Sequence, residues 1–400
     1  MDFDLSADQQ ALREAAATLL EGKAGHDALR ARVGTGAVVG TLPGAGAGAG
    51  AGAGESPGSG EVSAASATDA PRGFDSRVWD AMSEQGWLAL ELPEDEGGLG
   101  LGLVEVAVLC EELGRRLVAA PYLSSVVALG ALSGPDARAD AGTKEWREAL
   151  GQGSAVGCTV VAPTGRIAVT DAGAEREVRL DGVAPPTLYA ASADVAVVVT
   201  NDAVYAVDLR TAGNPEPVAA MDRTRELGVL AFEGTPARRV GGAGAAALAL
   251  DRAATLASAE MLGAADEVLA MSVGYAKDRV QFGKPIGSFQ AVKHMLADAL
   301  VDVEGMRSTV YYAAWCAGAD DPDRSLAASM AKAWCSDASR RVMGTGLQVH
   351  GGIGFTWEHD MHLYVKRAQL DQVSFGDASL HRDRIAGILR TRLDSGQALS

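Results

Sequence analysis

The hydrophobic period of this chain changes twice, and each change marks a change of secondary structure. From about residue 154 to 240 the apolar residues come in short β-branched runs: CTVVA, IAVTD, EVRLDG, ADVAVVVT, AVYAVDL and GVLAFEG. Such runs between turn residues are strands. Before and after them, apolar residues recur at spacings of three and four, the period of a helix with one buried face. The segment from Ser288 carries Phe289, Val292, Leu296, Leu300, Val303, Met306 and Val310 at those spacings. It predicts a long amphipathic helix made to pack in a bundle. The expected fold is α+β and multidomain. It has an N-terminal helical domain over 1–150, a middle β-barrel or sandwich over 151–242 and a C-terminal four-helix bundle over 243–400.

The N-terminal part reads as several helices. Ser6 followed three residues later by Gln9 is a capping box, and Leu5, Leu12, Ala15, Leu19 and Leu20 fall near one face, predicting a helix over 5–30. Val78, Met82 and Trp87 give a second apolar stripe, and Val104, Val108 and Leu113 a third. Residues 33–72 differ: TLPGAGAGAGAGAGESPGSG contains nothing large to bury, so this stretch is expected to be a flexible insertion.

Composition excludes some partners. The formal charge is −17, from 35 basic and 52 acidic residues, a balance that repels nucleic acid and anionic membrane. A phosphorylated ligand needs only a local basic patch and stays allowed. Cys110, Cys158, Cys316 and Cys335 form no CxxC pair, so neither a zinc site nor a disulfide framework is expected. The polar start MDFDLSADQQ is no signal peptide, and no apolar run reaches the roughly 18 residues of a membrane span. A soluble, cytoplasmic protein is expected.

Two motifs carry chemistry. In DRVQFGKPIGSFQAVKHMLAD, residues 278–298, Arg279 offers a permanent cation with fork-like donors suited to a pyrophosphate. Phe282 and Gly283 shape the turn before the next helix. In QVHGGIGF, residues 348–355, Gly351, Gly352 and Gly354 can present unhindered N–H groups to phosphate oxygens. His350, His359 and His362 follow no recognised ligand spacing, so no metal is expected.

These motifs resemble signatures of the acyl-CoA dehydrogenases, FAD-dependent flavoproteins. Weaker similarity extends to FDSRVWDAMSEQGWLALELPEDEGGLGLG and to DRTRELGVLAFEGTPA. The resemblance implies that Arg279, Gln281 and Phe282 reach across a subunit interface to a partner's FAD. It implies that Gln348, Gly351 and Gly352 lie along the ADP portion of the cofactor. It also implies an acyl-CoA substrate, electron-transfer flavoprotein as electron acceptor, and assembly with a homologous subunit (a heterotetramer) or with itself.

The chain departs from the family at the chemistry. The family's reaction removes an α-proton with a carboxylate while a hydride leaves Cβ for the flavin. At the two positions where the resemblance expects that Glu, this chain has Phe375 and Ala253. Where the family carries a Trp-x-Thr against the flavin ring, it reads Pro186-Thr187-Leu188. Three readings follow. The chain is the non-catalytic subunit of a heteromeric acyl-CoA dehydrogenase that completes its partner's FAD site. Or it is self-contained, with a displaced base at Glu260 or Asp377. Or it is a flavin-free CoA-binding or scaffold protein. Against the second reading, Glu260 also fits a polar residue satisfied at a helix interface, and Asp377 fits an N-cap for the helix starting near Ser379.

Overall fold

A computed structural model describes residues 5–34, 73–162, 165–173 and 176–396. Residues 35–72, most of the Gly/Ala-rich stretch, lie outside the described residues. Helix α1 (Ala7–Lys23) starts on the expected capping box: Ser6 Oγ accepts from the Gln9 N–H at 3.2 Å, and Gln9 Oε1 accepts from the Ser6 N–H at 2.9 Å. The expected helix over 5–30 is in fact two. The break falls at Ala24–Gly25, and α2 runs His26–Gly34. Glycine is a poor helix former, and here it lets the chain turn. Val33 is buried in α2, so the helix continues where the insertion was expected to begin.

Among the described residues five further helices follow in the N-terminal part: α3 (Ser76–Glu84), α4 (Leu103–Arg115), α5 (Tyr122–Leu132), α6 (Pro135–Arg138) and α7 (Lys144–Gly151). Val78, Met82, Trp87, Val108 and Leu113 are buried, as their spacing requires. The β region follows as β1 (Gly157–Val161), β2 (Ile167–Asp171), β3 (Glu177–Val183), β4 (Thr187–Leu188), β5 (Val195–Val199), β6 (Ala203–Asp208), a turn of helix α8 (Leu209–Ala212), β7 (Pro217–Val218), β8 (Leu227–Gly228) and β9 (Ala231–Gly242). Six of these strands form one sheet in the order β1-β5-β6-β9-β3-β2, and β4, β8 and β7 form a second. Among the described strands of the larger sheet only the β1–β5 pairing is parallel, with Gly157 opposite Val195. Strand β5 is buried along its whole length because it lies inside the sheet and under α5.

The C-terminal half is helical: α9 (Ala243–Asp278), a short hairpin of β10 (Val280–Gln281) and β11 (Lys284–Pro285), α10 (Gln290–Gly318), α11 (Arg324–His350), α12 (Met361–Asp371) and α13 (Ala378–Asp394). Helix α9 is the hub, packing against α4, α10 and α11. It meets α4 backbone to backbone. A Cβ on Gly263 would lie 1.8 Å from the Glu111 carbonyl oxygen, and one on Gly114 would lie 2.0 Å from that of Glu260. Only glycine allows this approach. The crossing brings Glu111 and Glu260 inside, each beside arginines. All four cysteines are buried free thiols. Among the described residues no helix is long and apolar enough to cross a membrane.

Candidate functional site

The two motifs of the C-terminal half meet in space. Helix α9 ends where Arg279 turns to extended backbone, its N–H still bonded to the Tyr275 carbonyl at 2.8 Å. The hairpin pairs Val280 with Pro285 and Gln281 with Lys284. Its turn residues, Phe282 (φ 53°) and Gly283 (φ 78°), are both left-handed, as a two-residue hairpin turn demands. Glycine adopts this freely, whereas a phenylalanine does so at a cost of about 1–2 kcal/mol. Phe282 is nevertheless 91% exposed, with its ring edge-on to that of Phe289 at 6.1 Å. Arg279 and Gln281 are exposed beside it.

The glycine segment sits at the same end. Tyr275, one turn before Arg279, stacks on His350 with ring centroids 4.7 Å apart, and His350 immediately precedes Gly351. Gly351 (φ 62°) ends α11, and a Cβ added at Gly351 or Gly352 would meet nothing within 4 Å. Gln348 is exposed. The three histidines pack against rings: His350 and His359 lie 4.6 Å apart, and His362 meets Trp357 edge-on. Among the described residues no group of three His, Cys, Asp or Glu is placed to hold a metal.

The remaining sequence candidates lie elsewhere. A cavity of about 640 Å³ opens between the ends of β1 and β5, the first turns of α9 and the loop 373–376. Pro186, Leu188 and Phe375 line it, and among the described residues no carboxylate does. Its one charged wall residue, Arg384, is paired with buried Asp251 at 2.6 Å and donates to Ser329 Oγ at 3.1 Å. Ala253 is fully buried on α9 and is not a wall residue.

Glu260 and Asp377 are also away from the cavity walls. Asp377 is exposed and caps α13, its carboxylate accepting from the Leu380 N–H at 2.9 Å. Glu260 belongs to a buried ion cluster at the junction of the β region with α9 and α12. Arg367 donates to it at 3.0 Å and to Asp222 at 2.8 Å; Arg225 contacts it closely and lies 3.4 Å from Asp371. Burial pushes the Asp371 carboxyl up to about 7, against the pull of Arg225.

Sequence reasoning singled out Glu260 but passed over its charged partners in this cluster, and over Lys332, which is fully buried on α11. A signal was available. Lys332 falls in register with Ala328, Cys335 and Val342 on the buried face of α11, and Arg367 with Tyr364 and Asp371 on that of α12. A charge on an apolar face is a buried charge needing partners.

Comparison with known proteins agrees with this layout. The profile of the acyl-CoA dehydrogenase C-terminal domain matches residues 241–389, and that of the N-terminal domain matches residues 60–156. Acyl-CoA dehydrogenase IpdE2 of Mycobacterium tuberculosis is 38% identical over 312 residues, covering 77% of this chain and 84% of that relative. The chain belongs to the acyl-CoA dehydrogenase family. Acyl-CoA dehydrogenase FadE27 of the same organism is 34% identical over 333 residues, 78% of this chain and 87% of the relative. Among solved structures, the ChsE4–ChsE5 complex from M. tuberculosis superimposes with a TM-score of 0.79 at 26% identity, covering 98% of this chain and 99% of the matched one. A Tcur3481–Tcur3483 steroid ACAD variant gives 0.80 at 25% identity, covering 97% and 99%. Both are heteromeric assemblies. The fold is that of this family: N-terminal helices, a central β region and C-terminal helices. This chain combines an exposed hairpin with a cavity whose described wall residues include no carboxylate.

Proposed function

We propose that this chain is the non-catalytic subunit of a heteromeric acyl-CoA dehydrogenase and that it completes the FAD site of a homologous partner. FAD, when bound, supplies the hydride acceptor for α,β-dehydrogenation of an acyl-CoA, with electron-transfer flavoprotein as its expected oxidant. The observation that carries the reading is the cavity wall. Removal of an α-proton needs a carboxylate in a dry pocket, and the residue presented there is Phe375. Pro186 and Leu188 at the same wall offer no aromatic surface for a flavin ring.

The nucleotide end fits the cofactor. Arg279, Gln281 and Phe282 project on a hairpin clear of the body, and the open faces of Gly351 and Gly352 admit a phosphate without a clash. These residues would hold the pyrophosphate and ADP portion in trans. Apolar side chains of the hairpin and of the glycine segment are left uncovered: Val280, Phe282, Phe355 and Trp357 are each more than half exposed. Such a patch fits a subunit contact. The two-chain assemblies among the structural relatives support the same reading.

The test is to purify the chain alone and together with a co-expressed homologous subunit. FAD absorbance and oxidation of an acyl-CoA panel with an artificial electron acceptor are then measured on each. A colourless, inactive chain that yields a yellow, active complex is expected. Yellow colour and turnover by the chain alone, abolished by Glu260→Gln or Asp377→Asn, would establish a self-contained enzyme instead. No flavin in either preparation would leave a scaffold.

A further inference from the structure

The loop between α12 and α13 is held by groups that the reading above does not use. Lys332 is fully buried on α11, and its ammonium has three donors to place. They meet the Gln372 carbonyl at 2.9 Å, the Gly376 carbonyl at 2.8 Å and Ser336 Oγ at 3.2 Å. The carbonyl between, that of Phe375, lies 3.1 Å from His381 Nε2 of α13, which donates to it. Phe375 and Gly376 are left-handed, at φ 58° and 96°. Three carbonyls in five residues are therefore tied to two buried side chains, Lys332 from α11 and His381 from α13. Helix C-terminal carbonyls usually end on water or a glycine motif. Sending a buried lysine to them is costly unless their position matters.

We propose that Lys332 is a positioning residue: with His381 it clamps the loop so that whatever side chain stands at 375 faces the cavity in a fixed geometry. The clamp acts on backbone carbonyls, so it is indifferent to the residue presented. The chain thus keeps the presenting half of a site whose wall is now a phenyl ring. This does not depend on which subunit carries the chemistry.

The charges around Lys332 make the clamp visible to pH. Asp371 from α12, Asp377 from the loop, Cys335 from its own helix and His381 from α13 face it. Burial lowers the Lys332 ammonium to about 8 and the His381 ring to about 4, while Asp371 is raised to about 7. The neutral amine has two hydrogens for three acceptors. Only Ser336 can reverse its bond; the two carbonyls cannot.

The experiment is fluorine NMR of the full chain labelled with 4-fluorophenylalanine. Seven lines are expected, one for each Phe, with that of Phe375 identified as the one missing in Phe375→Leu. In the wild type the Phe375 line should show a step near pH 8, the value for Lys332, separate from any step near 7 owed to Asp371. In Lys332→Met the step near 8 should vanish and the line should move. Amide exchange at residues 373–377 should rise about tenfold, the loss of one net hydrogen bond. The other six fluorine lines should stay in place. An unmoved Phe375 line in Lys332→Met, a step that persists in it, or equal broadening of all seven lines would overturn the proposal. Should that variant fail to fold, His381→Leu, which removes the donor to the Phe375 carbonyl, decides: an unmoved Phe375 line and unchanged amide exchange at residues 373–377 refute the clamp.

Discussion

Among the described residues two phenylalanines stand in the left-handed region, and the molecule treats them in opposite ways. Phe375 is 8% exposed, its carbonyl bonded by His381 and its neighbours' carbonyls by Lys332. Phe282 is 91% exposed and touches one ring edge. A left-handed non-glycine residue persists only where its surroundings over-determine it. At 375 those surroundings belong to the same chain. At 282 the chain supplies a two-residue turn and little else. A conformation held by its hairpin turn alone, with an apolar ring in water, points to something outside the chain. On the function proposed above, that is the partner subunit and its FAD. Changes at the buried side should therefore cost stability, and changes at the hairpin should cost assembly and cofactor.

The largest expected effect is on the buried side. Arg367→Ala removes one of two guanidiniums facing Asp222, Glu260 and Asp371. Breaking a buried ionic group by deleting one partner typically costs about 3–5 kcal/mol. Urea unfolding of the isolated chain should show a loss of that order. A loss under about 1 kcal/mol, as for an exposed ion pair, would mean that the cluster is open to water and the contrast between the two sides is false.

Arg279→Ala comes next, and its effect should be confined to the complex. Loss of a charge-assisted hydrogen bond to pyrophosphate costs about 1.5–3 kcal/mol, or roughly ten- to a hundredfold in FAD affinity. The urea midpoint of the isolated chain should not move, because exposed Arg279 is outside the core. Retained FAD, or a destabilised free chain, would make the hairpin an ordinary structural turn.

Phe282→Gly sharpens the contrast because its two effects have opposite signs. Glycine relieves the left-handed strain but loosens the unfolded chain. The free chain should be unchanged or more stable by up to about 1 kcal/mol. The complex should dissociate more readily in sedimentation at low concentration. A free chain that loses stability would show that the ring packs on its own subunit.

Much of this was legible in the sequence, for reasons that can be named. The capping box at Ser6 and Gln9 is a local interaction, and local signals survive folding. The six runs read as strands are strands, because β-branched residues between turn residues have few other uses. Their order is not local: β1 lies beside β5 and β3 beside β9, which no period encodes. The stripe of α10 misleads in part. Val303, Met306 and Val310 are buried, but Leu300 is half exposed, at the end nearer the hairpin. Sequence gives a face its apolar character without saying which molecule covers it. Lys332 and Arg367 escaped notice because charged residues are usually outside, and their partners come from segments 40 or more residues away.

The smallest expected effect separates the first two functional readings. Asp377→Asn keeps an oxygen where the Leu380 N–H needs one, at 2.9 Å, and asparagine caps helices as well as aspartate. Stability should stay within about 0.5 kcal/mol of the wild type. Turnover of the assembled complex on its acyl-CoA substrate should stay within a few-fold. A general base could not be so indifferent, because removing the proton-accepting oxygen typically costs ~10²–10⁴ in rate. The position argues the same way. Asp377 is exposed and points its carboxylate into the first turn of α13. A base for an α-proton needs the opposite surroundings, dry enough to raise its affinity for a proton. Steady-state oxidation by the wild-type and Asp377→Asn complexes, compared at saturating substrate, measures the difference. A loss of a hundredfold or more with an unchanged unfolding midpoint would make Asp377 the base, and Phe375 would then be a wall residue in an enzyme active on its own.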